Sequence, residues 1–464
     1  MDIKIYNTLS GKKEIFKTLE NNKVKFYQCG PTVYWTQHIG NLRAMTMADI
    51  INRFLRYIGY DVNFLRNYTD VGHLTSDSDE GEDKMDVSAT KEKISPKEIA
   101  DKYIKIFEQD TAELNNLEPN IKSRATENIN EILEMIKILF DKGFAYQTDL
   151  AIYFDVLKAK NYNRLSGQIL EEQKTEPNDK NKKYPADFAL WFFKKGKHAN
   201  ALQIWPSEWG EGFPGWHIEC SAMIKRFLGK TIDIHMGGIE HIPIHHTNEI
   251  AQSEAVNDGV PLANYWVHNE HLLVDGKKMA KSEGTGFSLA EVKEKGFDPL
   301  ALRYFFLQAH YRSKQNFTWQ ALKAAENGLK NLYSEIRELK NSVGEVSEEY
   351  KNKFIDVISD DFNTPQALAV VQELLKSDLS DDLKMATLLD FDKVLGLKIA
   401  ENIAEQPEKI PQEVIELAEK RMALRKSGNW QEADKLRQKI KNLGFEIEDT
   451  EKGFDITRAL GQGR

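Results

Sequence analysis

The chain has 464 residues, 41% hydrophobic and 29% charged, at a formal net charge of −9. That length suits about three domains with sizeable cores, and the acidic balance excludes a globally basic nucleic-acid coat but not a local RNA-binding patch. Two cysteines, Cys29 and Cys220, exclude a disulfide framework, and no apolar run approaches the roughly 18 residues of a membrane helix.

The N-terminal "MDIKIYNTLSGKKEIF" has neither the form of a secretion signal nor a transit character, so a cytoplasmic protein with no membrane partner is expected. "KVKFYQC" (23–29) reads as a buried strand, "GPT" as a turn, and "HIGNLRAMTMADIINRFLRYIG" as an amphipathic helix whose Leu42, Met45, Ile50, Phe54 and Ile58 recur at near-helical spacing. "DVNFLRN" (61–67) is the next strand. A strand–helix–strand unit argues for a parallel, doubly wound α/β sheet. The polar, acidic residues 75–93 are expected to form a mobile loop, and "SPKEIADKYIKIFEQDTAEL" carries a serine cap followed by proline at the first helical position.

Residues 144–195 read as an inserted module, with a hairpin-like "FAYQTDLAIYFDV", a low-order "EEQKTEPNDKNKKYP" and a strand "DFALWFF". The α/β pattern resumes at 214 with helix "PGWHIECSAMIKRFL", strand "TIDIHMGG", helix "IPIHHTNEIAQSEA" and strand "NYWVHNEHLLV". From about 319 the chain reads as helices, and "EQPEKIPQ" (405–412) reads as a linker to a small C-terminal piece.

Several of these elements carry residues suited to chemistry. The C-terminal edge of a parallel sheet is where such folds bind ligands. A helix start there offers N–H groups to a phosphate. His38 and Asn41, three apart, suit either hydrogen bonding to a phosphorus centre or ordinary capping. Trp216 and Cys220 stand one turn apart, as do His245 and Glu249. Cys29, Cys220, His245 and Glu249 could form a zinc site scattered over three elements, with His246 a local rival to His245. A carboxylate ligand favours a catalytic or substrate-binding ion over a closed structural one.

Lys278 and Lys281 flank a short segment of small residues in "DGKKMAKSEGTGF". They suit either triphosphate binding or a solvated basic turn. "GGIE" (237–240) allows close backbone approach to a nucleotide or forms a plain turn. The stretch 420–444 holds eight basic residues against two acidic ones, with Trp430 in its middle. It suits a single-stranded RNA loop or a solvated helix pair.

Together these elements resemble the class I aminoacyl-tRNA synthetases. "HIGN" is similar to the HIGH signature and "KMAKS" to the KMSKS signature. Within that class "CGPTVY", "NYTD", "PADFALW", "PGWHIECSAM", "HHTNEIAQSEA", "DDFNTPQAL" and "NWQEADKLRQKIKNLG" resemble the cysteinyl-tRNA synthetase family in order, from about residue 2 to 455.

The resemblance implies a Rossmann-like doubly wound parallel sheet with an inserted connective module, a helical bundle and a small C-terminal anticodon-binding domain. The implied boundaries are a catalytic first half over 1–125, the insertion over 126–205, the catalytic second half over 206–263, and a KMSKS-type and stem-contact region over 264–318. A tRNA-binding helical bundle then covers 319–400, and the anticodon-binding domain covers 401–464.

It also implies activation of L-cysteine with ATP and transfer to tRNA(Cys), with one zinc ion per chain and Mg2+ accompanying ATP. The zinc ligands implied are Cys29, Cys220, His245 and Glu249, which resolves the choice between His245 and His246. His38, Asn41, Lys278 and Lys281 are the implied catalytic residues. Gly237, Gly238 and Glu240 join His38, Asn41 and Lys281 in binding ATP. Gly30, Thr69 and Trp216 surround the cysteine. In the C-terminal piece Arg425, Trp430 and Arg437 are expected to meet tRNA. A monomer is expected.

The pattern departs from the family at four places. Asn41 replaces a second histidine, Ala280 a serine, and Glu240 the usual aspartate. "VGHLTSDSDEGEDKM" follows "NYTD" where "IDDKI" is usual. Two other readings compete. One is a ligase of the same fold that joins cysteine to an amino sugar, as in the mycothiol pathway. The other is a non-catalytic binding protein. The basic helical C-terminal region speaks against the first, and the intact lysines and zinc ligands against the second.

Overall fold

The strand Lys23–Gln28 (β1) buries Val24, Phe26, Tyr27 and Gln28, as a strand covered on both faces must. In the computed structural model, which describes residues 2–76, 80–168, 179–279, 285–339, 344–404, 411–450 and 453–458, it is the middle of a five-stranded sheet. The other strands are Asp61–Tyr68 (β2), Ile121–Arg124 (β3), Ile232–Gly238 (β4) and Ala263–Asn269 (β5). The spatial order is β5-β4-β1-β2-β3, and every neighbouring pair is parallel. Chain order therefore reverses between β1 and β4. In open parallel sheets that reversal opens a crevice beyond the strand ends, where ligands bind.

The expected helix after β1 runs Ile39–Tyr57, with His38 as its cap, and buries Leu42, Met45, Ile50 and Phe54. The Pro96–Glu113 helix starts with a full Ser95–Glu98 capping box. Residues 75–93 depart from the expected loop. Leu74–Ser76 pairs antiparallel with Glu80–Asp83, and a helix, Lys84–Glu92, follows. Acidic composition hid the buried Leu74, Met85 and Ala89 that anchor this segment.

The inserted module is an antiparallel sheet of Ala145–Gln147, Ala151–Phe154, Phe188–Phe193 and Gly212–Pro214. Its core, around Ile152, Phe154, Phe188 and Trp191, packs with the Ile129–Asp141 helix. Residues 169–178, which include the first half of the low-order stretch, lie outside the described residues. Downstream come the helices Trp319–Glu338, Glu348–Ser359, Thr364–Lys376 and Asp381–Leu395. No described helix is long and apolar enough to cross a membrane.

The chain divides into two units, Met1–Ile399 and Ala400–Arg464. The second packs the helices Gln412–Lys426 and Trp430–Asn442 with an unanticipated hairpin, Phe445–Thr450 and Gly453–Arg458, around Val414, Ala418, Ile440 and Ile447.

One buried cation ties the first unit together. The Arg303 guanidinium donates to the Asp49 carboxylate at 2.7 Å, to the Leu395 carbonyl at 2.7 Å, to the Leu114 carbonyl at 3.0 Å and to Asn116 Oδ1 at 2.8 Å. Both Arg303 and Asp49 are fully buried. Asp49 also pairs with Arg53 Nε at 2.8 Å, so Arg303→Met removes one of its two cations together with the other buried bonds of the guanidinium, and should cost at least about 1.5–3 kcal/mol. Urea unfolding monitored by intrinsic fluorescence should show the loss as a lower midpoint, and an unchanged midpoint would contradict this account of Arg303.

Candidate active site

The crevice at the β1/β4 reversal holds a cavity of about 340 Å³, a size suited to small ligands. Cys29 follows β1 directly, and its backbone N–H donates to the Met236 carbonyl of β4 at 3.0 Å. Gly30 comes next, with its N–H on Asn67 Oδ1 at 2.7 Å. A Cβ on Gly30 would stand 1.7 Å from the Asn67 carbonyl oxygen, so only glycine lets these two strand ends approach so closely. On the far side, the Trp216–Phe227 helix brings Trp216 and Cys220 to the cavity. A wide turn at Ile242–His246 runs into the helix Thr247–Val256, and the pair supplies His245 and Glu249. Such π-type turns recur at functional sites.

Four donor atoms converge. Within the group of Cys29, Cys220, His245 and Glu249 they all lie within 4.8 Å of one another, and all four residues are buried. His245 Nε2 is 3.0 Å from Glu249 Oε1 and 3.5 Å from Cys220 Sγ, and Cys29 Sγ is 3.8 Å from Glu249 Oε1. Ligands of a tetrahedral zinc stand roughly 3.3–3.8 Å apart, given its usual bond lengths, so the group fits such an ion.

A second grouping replaces Cys220 and His245 with His235 and His246. His246 Nε2 is 3.3 Å from Cys29 Sγ, while its Nδ1 engages His268 Nε2 at 2.8 Å. His245 lines the cavity beside both cysteines, which favours the first grouping. Histidines missed by sequence reasoning support it from behind. His217 Nδ1 meets His245 Nδ1 at 2.9 Å, and His235 Nε2 meets Glu249 Oε2 at 2.9 Å. Such partners orient metal ligands.

The electrostatics call for a cation. Burial opposes ionisation of Glu249, yet the imidazoles of His235 and His245 hold its carboxyl well below the usual carboxylate range. Burial likewise opposes charge on His245, but Glu249 and Cys220 push it up to about 10. Burial pushes the Cys29 thiol up, reinforced by Cys220 and Glu249. For Cys220 burial is outweighed by Cys29 and His245, and its thiol moves down. Protons or a metal must neutralise this cluster, and a metal would displace protons on binding.

The other candidates line the same cavity: Gly30, Thr69, Gly237, Gly238, Glu240 and Lys278. Glu240 Oε2 lies 3.7 Å from His271 Nδ1. His38 and Asn41 line the cavity as well, at the helix start. The Asn41 backbone N–H donates to His38 Nδ1 at 3.2 Å, and Asn41 Nδ2 donates to Gln37 Oε1 at 2.5 Å. The segment after the lysine loop docks here, with the Ile39 N–H on the Phe287 carbonyl at 2.8 Å and a bridge from His38 to Ser288. Lys281, in the span 280–284, lies outside the described residues.

In the second unit the Arg425 guanidinium sits 5.0 Å above the Trp430 ring, which is 56% exposed, and Arg437 is exposed. Arg421 is buried and paired with Asp449 at 2.7 Å, and Arg425 reaches the same carboxylate at 2.9 Å. The exposed positive charge of this stretch is therefore smaller than its sequence count.

Parallel strands reversing between β1 and β4, a histidine-led helix and a lysine loop beside them define the catalytic fold of a class I tRNA synthetase. The family model for the tRNA synthetases class I (C) catalytic domain matches residues 15–327, and a DALR domain model matches residues 353–377. Two solved structures of Mycobacterium tuberculosis methionyl-tRNA synthetase with methionyl-adenylate share the fold at TM-scores of 0.54 and 0.53. Each is 14% identical and covers 82% of this chain, with 91% and 92% of their own chains matched. Much nearer in sequence is a cysteine–tRNA ligase of Treponema denticola, 42% identical over 97% of this chain and 98% of its own. Another, of Clostridioides difficile, is 39% identical over 98% and 100%. The chain belongs to the cysteine–tRNA ligase family.

The close approach at Gly30 can be tested directly. Gly30→Ala forces the ends of β1 and β2 apart and should cost at least about 1–3 kcal/mol as an overpacked position. Thermal unfolding followed by circular dichroism should show a lower midpoint, and a wild-type midpoint would contradict the geometry.

Proposed function

We propose that this chain activates L-cysteine with ATP, releasing pyrophosphate, and esterifies the 3′-terminal adenosine of tRNA(Cys) with the activated cysteine. The observation that carries this reading is the meeting of Cys29, Cys220, His245 and Glu249, the first three of which line the crevice. These four would hold one zinc ion. When bound, zinc supplies a ligand position for the substrate sulfur as thiolate, which a serine hydroxyl fills far less well. Selection built on one such polar contact reaches about 10⁴ or more without a separate editing step.

The chain's own side chains do the rest. Gly30, Thr69 and Trp216 surround the amino acid and orient its carboxylate. Gly237, Gly238 and Glu240 line the adenosine side, and the paired glycines let the backbone come close. The cysteine carboxylate oxygen attacks the α-phosphorus, and the bond to pyrophosphate breaks. His38 Nδ1 accepts from the Asn41 backbone, so a neutral ring carries its proton on Nε2. That N–H and the Asn41 side-chain amide donate to the oxygens on which charge develops, at the positive end of the helix. Lys278 and Lys281 neutralise the leaving pyrophosphate, with Mg2+ accompanying ATP. In the second unit the exposed Trp430 ring would offer tRNA a stacking surface, and Arg425 and Arg437 would offer it positive charge.

ATP–pyrophosphate exchange across all twenty amino acids tests the reading. Cysteine alone should support exchange, and support by a different amino acid, or by none, would refute it. Cys220→Ser should weaken zinc affinity by more than the about 10- to 100-fold seen when a residue that only supports a ligand is changed, read as zinc lost on dialysis against a chelator and measured by atomic emission. Its KM for cysteine should rise in parallel, and full zinc with unchanged KM would remove Cys220 from the ligand set. Deleting residues 400–464 should weaken tRNA charging while sparing exchange. Equal loss of both would make that unit structural.

A further inference from the structure

We propose that His73 is a positioning residue for the amino-acid pocket: clamped between Thr32 and Lys84, its ring fixes the indole of Trp216 and thereby sets the affinity for the amino acid. The inference rests on the reading of the pocket given above. His73 lies where the sequence departs from the pattern it otherwise resembles.

The His73 ring lies flat on Trp216, with centroids 4.0 Å apart and planes 8° from parallel. Trp216 also stacks on His245, at 4.1 Å and 19°. One indole thus links His73 to an imidazole of the buried donor cluster. Aromatic stacking of this kind has a defined geometry and contributes beyond the area it buries.

Both ring nitrogens of His73 are engaged. Nε2 is 2.6 Å from Lys84 Nζ, and Nδ1 is 2.5 Å from Thr32 Oγ1. An ammonium can only donate, so Nε2 accepts, the ring proton sits on Nδ1, and Nδ1–H donates to Thr32. These two bonds fix both the tautomer and the rotation of the ring. Thr32 in turn bridges to Thr69, and the Val33 N–H donates to the Thr69 carbonyl at 3.0 Å. The clamp therefore joins both walls of the pocket.

The rearranged segment builds this clamp. The hairpin sets Leu74 opposite Asp83, and the Lys84 N–H donates to the His73 carbonyl at 3.0 Å. The buried Asp83 carboxylate accepts from the Gly72 and Met85 N–H groups, each at 2.7 Å. Gly72 has φ +74°, and a Cβ there would lie 2.5 Å from the Pro214 carbonyl oxygen and 2.6 Å from Glu219 Oε1. Glycine at 72 lets the chain press against the start of the Trp216 helix, and this brings the His73 ring onto the indole.

The test is cysteine-dependent ATP–pyrophosphate exchange with the full chain, measuring KM for cysteine and for ATP separately. His73→Ala should raise KM for cysteine about tenfold, with KM for ATP unchanged. His73→Phe keeps a stacking ring but neither ring-nitrogen bond, so its KM for cysteine should lie between those of wild type and His73→Ala, near that of Lys84→Met. Lys84→Met frees the ring and should raise KM for cysteine about fivefold. If His73→Ala does not fold, Lys84→Met decides alone. A wild-type KM for cysteine in either folded variant overturns the proposal. So does a rise in both KM values together, which marks a merely structural role. Failure of the wild-type chain to use cysteine would instead overturn the reading of the pocket, because the His73 proposal concerns only the ratio of variant to wild type.

Discussion

Everything in the crevice depends on holding two thiols, an imidazole and a carboxylate within 4.8 Å of one another in a dry interior. Four such groups in water would separate, because desolvation costs each its charge and the anionic forms repel. The fold overrides this with rigid elements. The end of β1 delivers Cys29, one helix delivers Cys220, and a wide turn leading into a second helix delivers His245 and Glu249. A cation at their centre would convert a costly cluster into a stable one, and it would explain why polar side chains with no disulfide or surface role are buried here.

The surroundings follow from that demand. His217 and His235 each engage one member of the cluster, and His246 leans on His268, whose Nδ1 meets Thr8 Oγ1 at 2.8 Å. This chain of hydrogen bonds leaves the ligating atoms little freedom to turn. In front of the cluster, Trp216 closes the wall that an amino acid would touch, and the helix opened by His38 lines the cavity where the phosphates would lie. The site is thus graded, from a buried donor cluster through an aromatic wall to a helix start that presents His38 and Asn41 to the cavity.

Much of this was legible in the chain. Helical periodicity marked the helix after β1, and short strand-length stretches around Phe26–Tyr27 and Phe64–Leu65, bounded by turns, marked β1 and β2. The one-turn spacing of His245 and Glu249 marked a shared face, which they have. Convergence of Cys29 and Cys220, 191 positions apart by their numbers, was not legible from spacing and came only from resemblance. The segment 75–93 misled for a physical reason. Its acidic and polar residues outnumber the few buried apolar ones, Met85 and Ala89 with Leu74 just before them, that anchor the hairpin and helix. The supporting histidines were hidden because each is placed by an element whose partner lies far along the chain. In the C-terminal unit, counting charges could not reveal that Arg421 turns inward to Asp449.

The most direct measurement is X-ray absorption at the zinc edge on the purified full chain, with and without L-cysteine. The account predicts a single zinc environment with two sulfur ligands and two nitrogen or oxygen ligands, gaining a third sulfur when cysteine is added and none when serine is added. A protein without zinc, or a zinc whose sulfur count is indifferent to cysteine, would contradict it.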